Sequence, residues 1–186
     1  MSDRTDEQLI ADYLGGDTAA LDLLFERYRR PFYSYFNRIL SGDATTADDI
    51  FQETWLRIIR ALPTFNPSGS FSAWAFRIAH NQAMQSFRRS KTRSKVGALT
   101  ADGELPEPAE SSFISPDRLL NCKHLAQEIE RALAKLSPEQ REVFTLRQSG
   151  MSFKEIAQIQ SCPLNTALSR MRYTIIFLRK ELSDTL

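Results

Sequence analysis

Gly150-Met151-Ser152-Phe153-Lys154-Glu155-Ile156-Ala157-Gln158-Ile159-Gln160-Ser161-Cys162-Pro163-Leu164-Asn165-Thr166-Ala167-Leu168-Ser169-Arg170-Met171-Arg172-Tyr173 is the stretch on which the fold turns. Ser152 and Glu155 stand three apart, the spacing of a capping box, and open a short helix to about Ile159. Ser161-Cys162-Pro163 is a turn, because proline cannot continue the helix before it. A longer helix then runs from Leu164 to about Leu182. Short helix, tight turn, longer helix is the layout of a helix-turn-helix. At about 100° per residue, Leu164, Ala167, Leu168, Met171, Ile175 and Leu178 share an arc that predicts the core face. Asn165, Thr166, Ser169, Arg170, Arg172 and Tyr173 lie opposite. Short polar groups can read base edges there, and arginine suits guanine or phosphate.

Helical periodicity continues upstream and strand alternation is absent. Ser137-Pro138-Glu139-Gln140 is a second capping box, opening a helix that ends near Gly150. Ser115-Pro116 starts the helix before it, which reaches about Leu136. The N-terminal part reads as four helices. The first spans about Asp6 to Leu14 and stops at Gly15-Gly16. Asp17 caps the second, in which Pro31 predicts a kink before the Ser41-Gly42 break. The third runs from about Thr45 to Leu62, with Phe51, Trp55, Ile58, Ile59 and Leu62 on one face. After the loop Pro63 to Ser70, the fourth runs from Phe71 to about Arg89. The expectation is an all-α chain of two small helical domains, residues 1–92 and 116–186, joined by a flexible acidic linker over 93–115 that is rich in Gly, Pro and carboxylates.

The 186 residues are 42% hydrophobic and 25% charged, enough for a core without staples. No run reaches the roughly 18 apolar residues of a membrane span, and Met1-Ser2-Asp3-Arg4 is no signal peptide. Two cysteines, Cys122 and Cys162, make no disulfide framework; both read as small apolar fillers, with a response to oxidation left open. With His80 and His124 they form no metal-ligand spacing, so neither a metal nor a cofactor is expected. No phosphate loop, GxSxG or HExxH supports an enzyme or a small-molecule substrate. A soluble, cytoplasmic protein is expected.

The net charge of +1 conceals blocks: −4 over residues 1–60, +6 over 61–100, −4 over 101–120 and +3 over 121–186. Two basic blocks suit two polyanion-binding surfaces, or else solvated faces. In the fourth helix Trp74, Arg77, Asn81, Gln85 and Arg88 share a stripe, followed by Arg89, Lys91, Arg93 and Lys95. An aromatic can stack on an unpaired base while cations hold phosphates. The other reading is a core tryptophan and a basic helix end that suits the dipole. Asp48, Asp49, Gln52 and Glu53 lie opposite the apolar face of the third helix, where they compensate the dipole or form a docking face.

In this order the pieces resemble the extracytoplasmic-function (ECF) family of bacterial sigma factors. Ala47-Asp48-Asp49-Ile50-Phe51-Gln52-Glu53-Thr54-Trp55-Leu56 is similar to the family's "AEDlvQevFl" helix. Phe71-Ser72-Ala73-Trp74-Ala75-Phe76-Arg77-Ile78-Ala79-His80-Asn81 is similar to "FraWLyrIArN", closed by Arg88-Arg89. Leu136-Ser137-Pro138-Glu139-Gln140-Arg141-Glu142-Val143-Phe144 and Met151-Ser152-Phe153-Lys154-Glu155-Ile156-Ala157 resemble its second domain.

The resemblance implies an alternative sigma factor without enzymatic activity. It implies docking on core RNA polymerase (β′ coiled coil and β flap) through Asp48, Asp49, Gln52, Glu53 and Trp55. It implies −10 recognition and melting by Phe65, Asn66, Trp74, Arg77, Asn81, Arg88 and Arg89. It assigns −35 reading to Asn165, Thr166, Ser169, Arg170 and Tyr173, with Arg147, Ser152 and Lys154 toward phosphates. It also implies restraint by an anti-sigma factor. The last helix departs from the family's "GTVKSRLhRAR": Asn165, Leu168 and Ile175 replace a glycine, a lysine and an arginine. That predicts fewer phosphate contacts and leaves apolar surface at Ile176 and Phe177. Two alternatives stay open, a sigma-like decoy that binds an anti-sigma factor without promoter activity and a plain helix-turn-helix regulator.

Overall fold

A computed structural model describes residues 4–40, 44–94 and 126–183. Helix α1 (Asp6–Leu14) starts at Thr5, whose hydroxyl accepts from Gln8 N–H while the Gln8 side chain accepts from Thr5 N–H. It ends at Gly15, and Gly16 takes φ 106°, a conformation that favours glycine. Helix α2 (Thr18–Ile39) is capped by Asp17, which accepts from Ala19 N–H at 3.0 Å. The helix runs on through Pro31, where the ring removes the N–H otherwise owed to the Arg27 carbonyl. Helix α3 (Ala44–Ala61) leads into a 3-10 turn at Leu62–Thr64, and α4 spans Phe71–Ser94, five residues beyond its expected end.

These helices bury the apolar stripes their periodicity announced. Leu24, Phe32, Phe36, Phe51, Trp55, Ile58, Phe71, Ala75, Phe76, Ala79 and Ala83 are all core. Phe32 sits at the centre, its ring 4.8 Å from Phe76 and 5.7 Å from Trp55, both edge-on. Asp6 ties α1 to α2 by accepting from Arg27 and the Tyr28 hydroxyl. Burial first, then the hydrogen bond to Asp6 and after it the Asp6 charge, push the Tyr28 phenol well above its ordinary pKa.

In the C-terminal part residues 126–134 are helical and form α5. Helices α6 (Pro138–Gln148), α7 (Phe153–Ile159) and α8 (Leu164–Ser183) follow. Both expected capping boxes are present, at Ser137/Gln140 and Ser152/Glu155. Gly150 at φ 87° turns the chain from α6 to α7. Ser161 at φ 50° ends α7, with Cys162 N–H closing on the Ala157 carbonyl at 2.9 Å.

The core face of α8 differs from the expected arc. Ala167, Thr174 and Leu178 are buried, with Met171 half-buried between them, whereas Leu164, Leu168 and Ile175 are exposed. The centre shifts by roughly 40° because Thr174 counts as core. Its hydroxyl donates within its own helix to the Arg170 carbonyl at 2.9 Å, so its methyl can be buried without an orphaned polar group. Phe177 packs with Ala132, Leu133, Leu136 and Leu178, so only Ile176 of the expected Ile176–Phe177 patch is exposed.

The two halves do not stand apart. Helix α6 packs on α2, and α7 packs on α4. Val143, Leu146, Met151, Ile156, Ala157, Ile159 and Ala167 belong to the same buried cluster as the N-terminal core. The expected linker over 93–115 lies beyond Ser94 outside the described residues, as do Cys122 and His124. Among the described residues no helix is long and apolar enough to cross a membrane, and no group of metal-ligating side chains is gathered.

Candidate nucleic-acid and protein interfaces

Three faces carry the residues singled out in the sequence. The first is the α4 stripe. Spacings of three and four residues put Trp74, Arg77, Asn81, Gln85 and Arg88 along one side, and all but Trp74 are exposed. Trp74 is half-buried against Phe65 at 5.2 Å and Phe71 at 5.7 Å. It keeps part of an indole face available while its position is fixed from below. Phe65 is only 9% exposed and lies edge-on to Phe71 at 5.6 Å, so it supports Trp74 and does not project from the loop. Asn66 organises the loop: its Oδ1 accepts from Ser68 N–H at 3.0 Å and from the Ser68 hydroxyl at 2.9 Å. The Arg89 side chain lies outside the described residues.

The second face is on α7 and α8. Asn165, Ser169 and Tyr173 are exposed, and Thr166 and Arg170 are half-buried. Arg170 Nη1 donates to Gln160 Oε1 at 2.7 Å, which folds its side chain toward the turn. Gln160 is held in place as its Nε2 donates to Glu142 Oε2 at 2.8 Å and to the Glu139 carbonyl at 2.9 Å. Arg147 donates to the Met151 carbonyl at 2.8 Å and lies 5.3 Å over the Phe153 ring, so it braces the start of α7 from an exposed position. Lys154 is exposed; Ser152, also exposed, has its hydroxyl committed to the Glu155 cap. Burial would raise the Glu155 carboxyl, but hydrogen bonds from Ser152 and Ser70 outweigh it and hold the pKa below the ordinary value.

The third face is acidic. Asp48, Asp49 and Gln52 are exposed near the N-terminus of α3, and Glu53 pairs with Arg57 at 2.8 Å. Tyr33, unflagged by any motif, orients this face from α2 through a hydrogen bond to Asp48. Partial burial, then that bond and the Asp48 charge, raise its phenol pKa. Trp55 is corrected: it is not on this face. One turn from Phe51, it is 3% exposed, packed 5.0 Å from Phe25, and its Nε1 has no partner among the described residues. Its helical register puts it in the core, as its own apolar period said.

Known proteins agree with this arrangement. The model of Sigma-70 region 2 matches residues 24–93, and that of Sigma-70 region 4 matches residues 126–172. The ECF RNA polymerase sigma-E factor of Escherichia coli (strain K12) is 33% identical over 185 residues, which covers 97% of this chain and 93% of that one. The RNA polymerase sigma-H factor of Pseudomonas aeruginosa is 30% identical over 188 residues, covering 99% and 94%. In fold, the chain is similar to the sigma factor RpoE solved with the anti-sigma factor NepR from Bartonella quintana. The TM-score is 0.72 at 21% identity, over 88% of this chain and 96% of that one. It is also similar to CnrH solved with the cytosolic domain of CnrY, with a TM-score of 0.66 at 23% identity over 96% and 97%. An all-helical chain with both regions in order, and relatives that match it nearly end to end, belongs to the extracytoplasmic-function sigma factors of the sigma-70 family.

Proposed function

We propose that this protein is an alternative sigma factor that binds core RNA polymerase, directs it to specific promoters and helps melt their −10 region. The observation that carries the reading is the pairing of two separate exposed faces on one chain. One is the aromatic, amide and arginine stripe of α4, suited to an unpaired strand. The other is the polar face of α8, suited to base edges in a major groove. Unpairing costs a few kcal/mol, least at A·T-rich steps, and capture of a flipped base by Trp74 with Arg77 and Asn81 offsets it. The α3 carboxylates, held toward solvent and steadied by Tyr33, supply charge complementarity to a basic surface of polymerase. On this reading the chain works in the cytoplasm, acts as an initiation factor without turnover of its own, and is restrained by an anti-sigma factor that covers these faces.

Run-off transcription with core polymerase and a random promoter library tests the proposal. Specific initiation is expected, together with weak duplex binding by the protein alone. Tight duplex binding without polymerase would favour a plain helix-turn-helix regulator. One observation favours a second reading. Leu168 and Ile175 are 41% and 37% exposed beside the reading face, where cations would be needed for phosphates. If core polymerase is bound but no promoter in the library is used, a decoy for an anti-sigma factor replaces the initiation reading.

A further inference from the structure

Two arginines bound the reading face of α8, and they are held differently. Two residues apart on a helix, Arg170 and Arg172 lie about 160° apart, with Asn165, Ser169 and Tyr173 between them. Arg172 is exposed, whereas Arg170 is half-buried and tied to Gln160, which lies outside the reading helix. Gln160 caps the C-terminus of α7. Its N–H closes on the Ile156 carbonyl at 2.9 Å, and Ser161 at φ 50° turns the chain away behind it. The side chain therefore leaves from a fixed point on the backbone.

Every polar atom of the Gln160 amide is in use. The two N–H groups of Nε2 go to Glu142 Oε2 at 2.8 Å and to the Glu139 carbonyl at 2.9 Å. Oε1 accepts from Arg170 Nη1 at 2.7 Å, with the Cys162 thiol at 4.0 Å. Glu142 is fully buried, so its oxygen is a fixed target. These partners leave the amide one orientation. Turned over, it would set N–H groups against a guanidinium that only donates, and an oxygen against two acceptors. Among the described residues, Nε and Nη2 of Arg170 have no partner. They form one edge of the planar guanidinium, a fork of two N–H groups. Such a fork matches O6 and N7 of guanine.

We infer that Gln160 is a positioning residue for promoter reading: it holds Arg170 by Nη1 and leaves the Nε–Nη2 edge for a guanine of the −35 element. The inference rests on the sigma reading proposed above. An unheld arginine at the edge of a groove reaches phosphate as readily as a base, and a phosphate contact carries no sequence information. Held by one nitrogen, Arg170 loses part of that choice before DNA arrives, and less ordering is left for the complex to supply. Arg172, exposed on the opposite edge, has no such anchor and suits phosphate.

The test uses the full chain with core polymerase and competing promoters that differ by one base pair of the −35 element. Arg170→Ala marks the base pair that Arg170 reads. Gln160→Met is expected to lose about fivefold in discrimination at that base pair, the worth of one hydrogen bond, and less than about twofold at every other. In the Arg170→Ala background it is expected to lose nothing further, because the two residues act as one unit. A purely structural Gln160 would lose affinity alike at all base pairs and in both backgrounds. Arg170→Lys keeps a donor for Gln160 but not the fork, and is expected to lose as much at that base pair as Arg170→Ala. Nuclear magnetic resonance of the free chain reads the anchor without DNA. Arg170 Nη1 and Nη2 should give separate nitrogen resonances in wild type and one averaged resonance in Gln160→Met. The wild-type spectrum and Arg170→Lys need no change at Gln160, so they stand even if Gln160→Met does not fold. An averaged resonance in wild type, unchanged discrimination in Gln160→Met, equal loss at all base pairs, or an Arg170→Lys that reads as wild type would overturn the inference. A wild type that directs no initiation would overturn the sigma reading and this inference with it, whereas the other failures arise with wild type initiating normally.

Discussion

Trp74→Ala separates promoter melting from promoter binding. The indole lies half-buried on Phe65 and Phe71, and the exposed remainder heads the Arg77–Asn81–Arg88 stripe. Two losses are expected, of different kinds. Removing a half-buried tryptophan should cost about 2 kcal/mol of folding stability, less than the roughly 3–5 of a fully buried one. Removing the surface on which a base stacks should cost about 1–3 kcal/mol in the opened complex alone. The second loss is a factor of about 5–150 in the ratio of open to closed complex. Fluorescence of 2-aminopurine in the −10 strand reports opening, and filter binding at low temperature reports the closed complex. Closed-complex affinity should change less than twofold while opening falls by at least fivefold, and Trp74→Phe should recover most of it. Equal losses in both complexes, matched by the buried neighbour Phe71→Leu, would refute a strand-capturing Trp74 and leave a core residue.

Arg170→Ala should lower discrimination at one base pair of the −35 element by about 1–3 kcal/mol, as for loss of a bidentate contact, and competition between single-base variants reads this. Arg141→Met should cost about 3 kcal/mol, because the Leu133, Ala134, Leu136, Arg38 and Ile39 carbonyls lose a buried donor. The thermal midpoint should fall by about 6–12 °C by circular dichroism. Ser152→Ala should cost about 1 kcal/mol as a lost cap. It should also flatten the acid limb of stability, measured by urea melts at stepped pH. The folded Glu155 carboxyl lies below its unfolded value, so its contribution is complete above the ordinary glutamate range and is lost as pH falls through the lowered value.

Caps, periods and motifs made most of the fold legible, since each acts within a few residues. Ser137/Gln140 and Ser152/Glu155 both close as boxes, and the Phe32–Phe76 core follows from apolar period alone. Legibility fails where a residue's environment is set from elsewhere. Thr174 reads as polar, yet an intrahelical hydrogen bond lets it face the core and turns α8 away from the expected arc. Trp55 shows the reverse: its period was right, and the motif drew it wrongly to the docking face. The site followed the same rule. The α4 stripe and the α3 carboxylates are surface patterns on single helices, so spacing reveals them. Tyr33 beside Asp48 and Gln160 beside Arg170 come from neighbouring helices, and no spacing within one helix could join them.

The interdomain contact is the extreme of this rule, and it changes the meaning of the charge blocks. Tyr35 and Glu142 are 107 residues apart, and Arg38 and Glu130 are 92 apart. Block charge, −4 over residues 1–60 against +3 over 121–186, would suggest attraction between an acidic and a basic domain. The side chains that meet run the other way. Arg38 is a cation of the acidic block, and Glu130 and Glu142 are anions of the basic one. The Arg38–Glu130 pair thus spends a minority charge of each half on the other, and Asp48 and Asp49 on one side and Lys154 and Arg172 on the other stay outward; the exception is Arg141, a majority cation of its block that is buried against the Arg38 and Ile39 carbonyls. A contact built this way neutralises little of the exposed charge at Asp48, Asp49, Lys154 and Arg172. Glu142 is fully buried and the Arg38–Glu130 pair half-buried, and such groups are screened less than exposed ones, so the contact between domains and the contacts with partners respond differently to ionic strength.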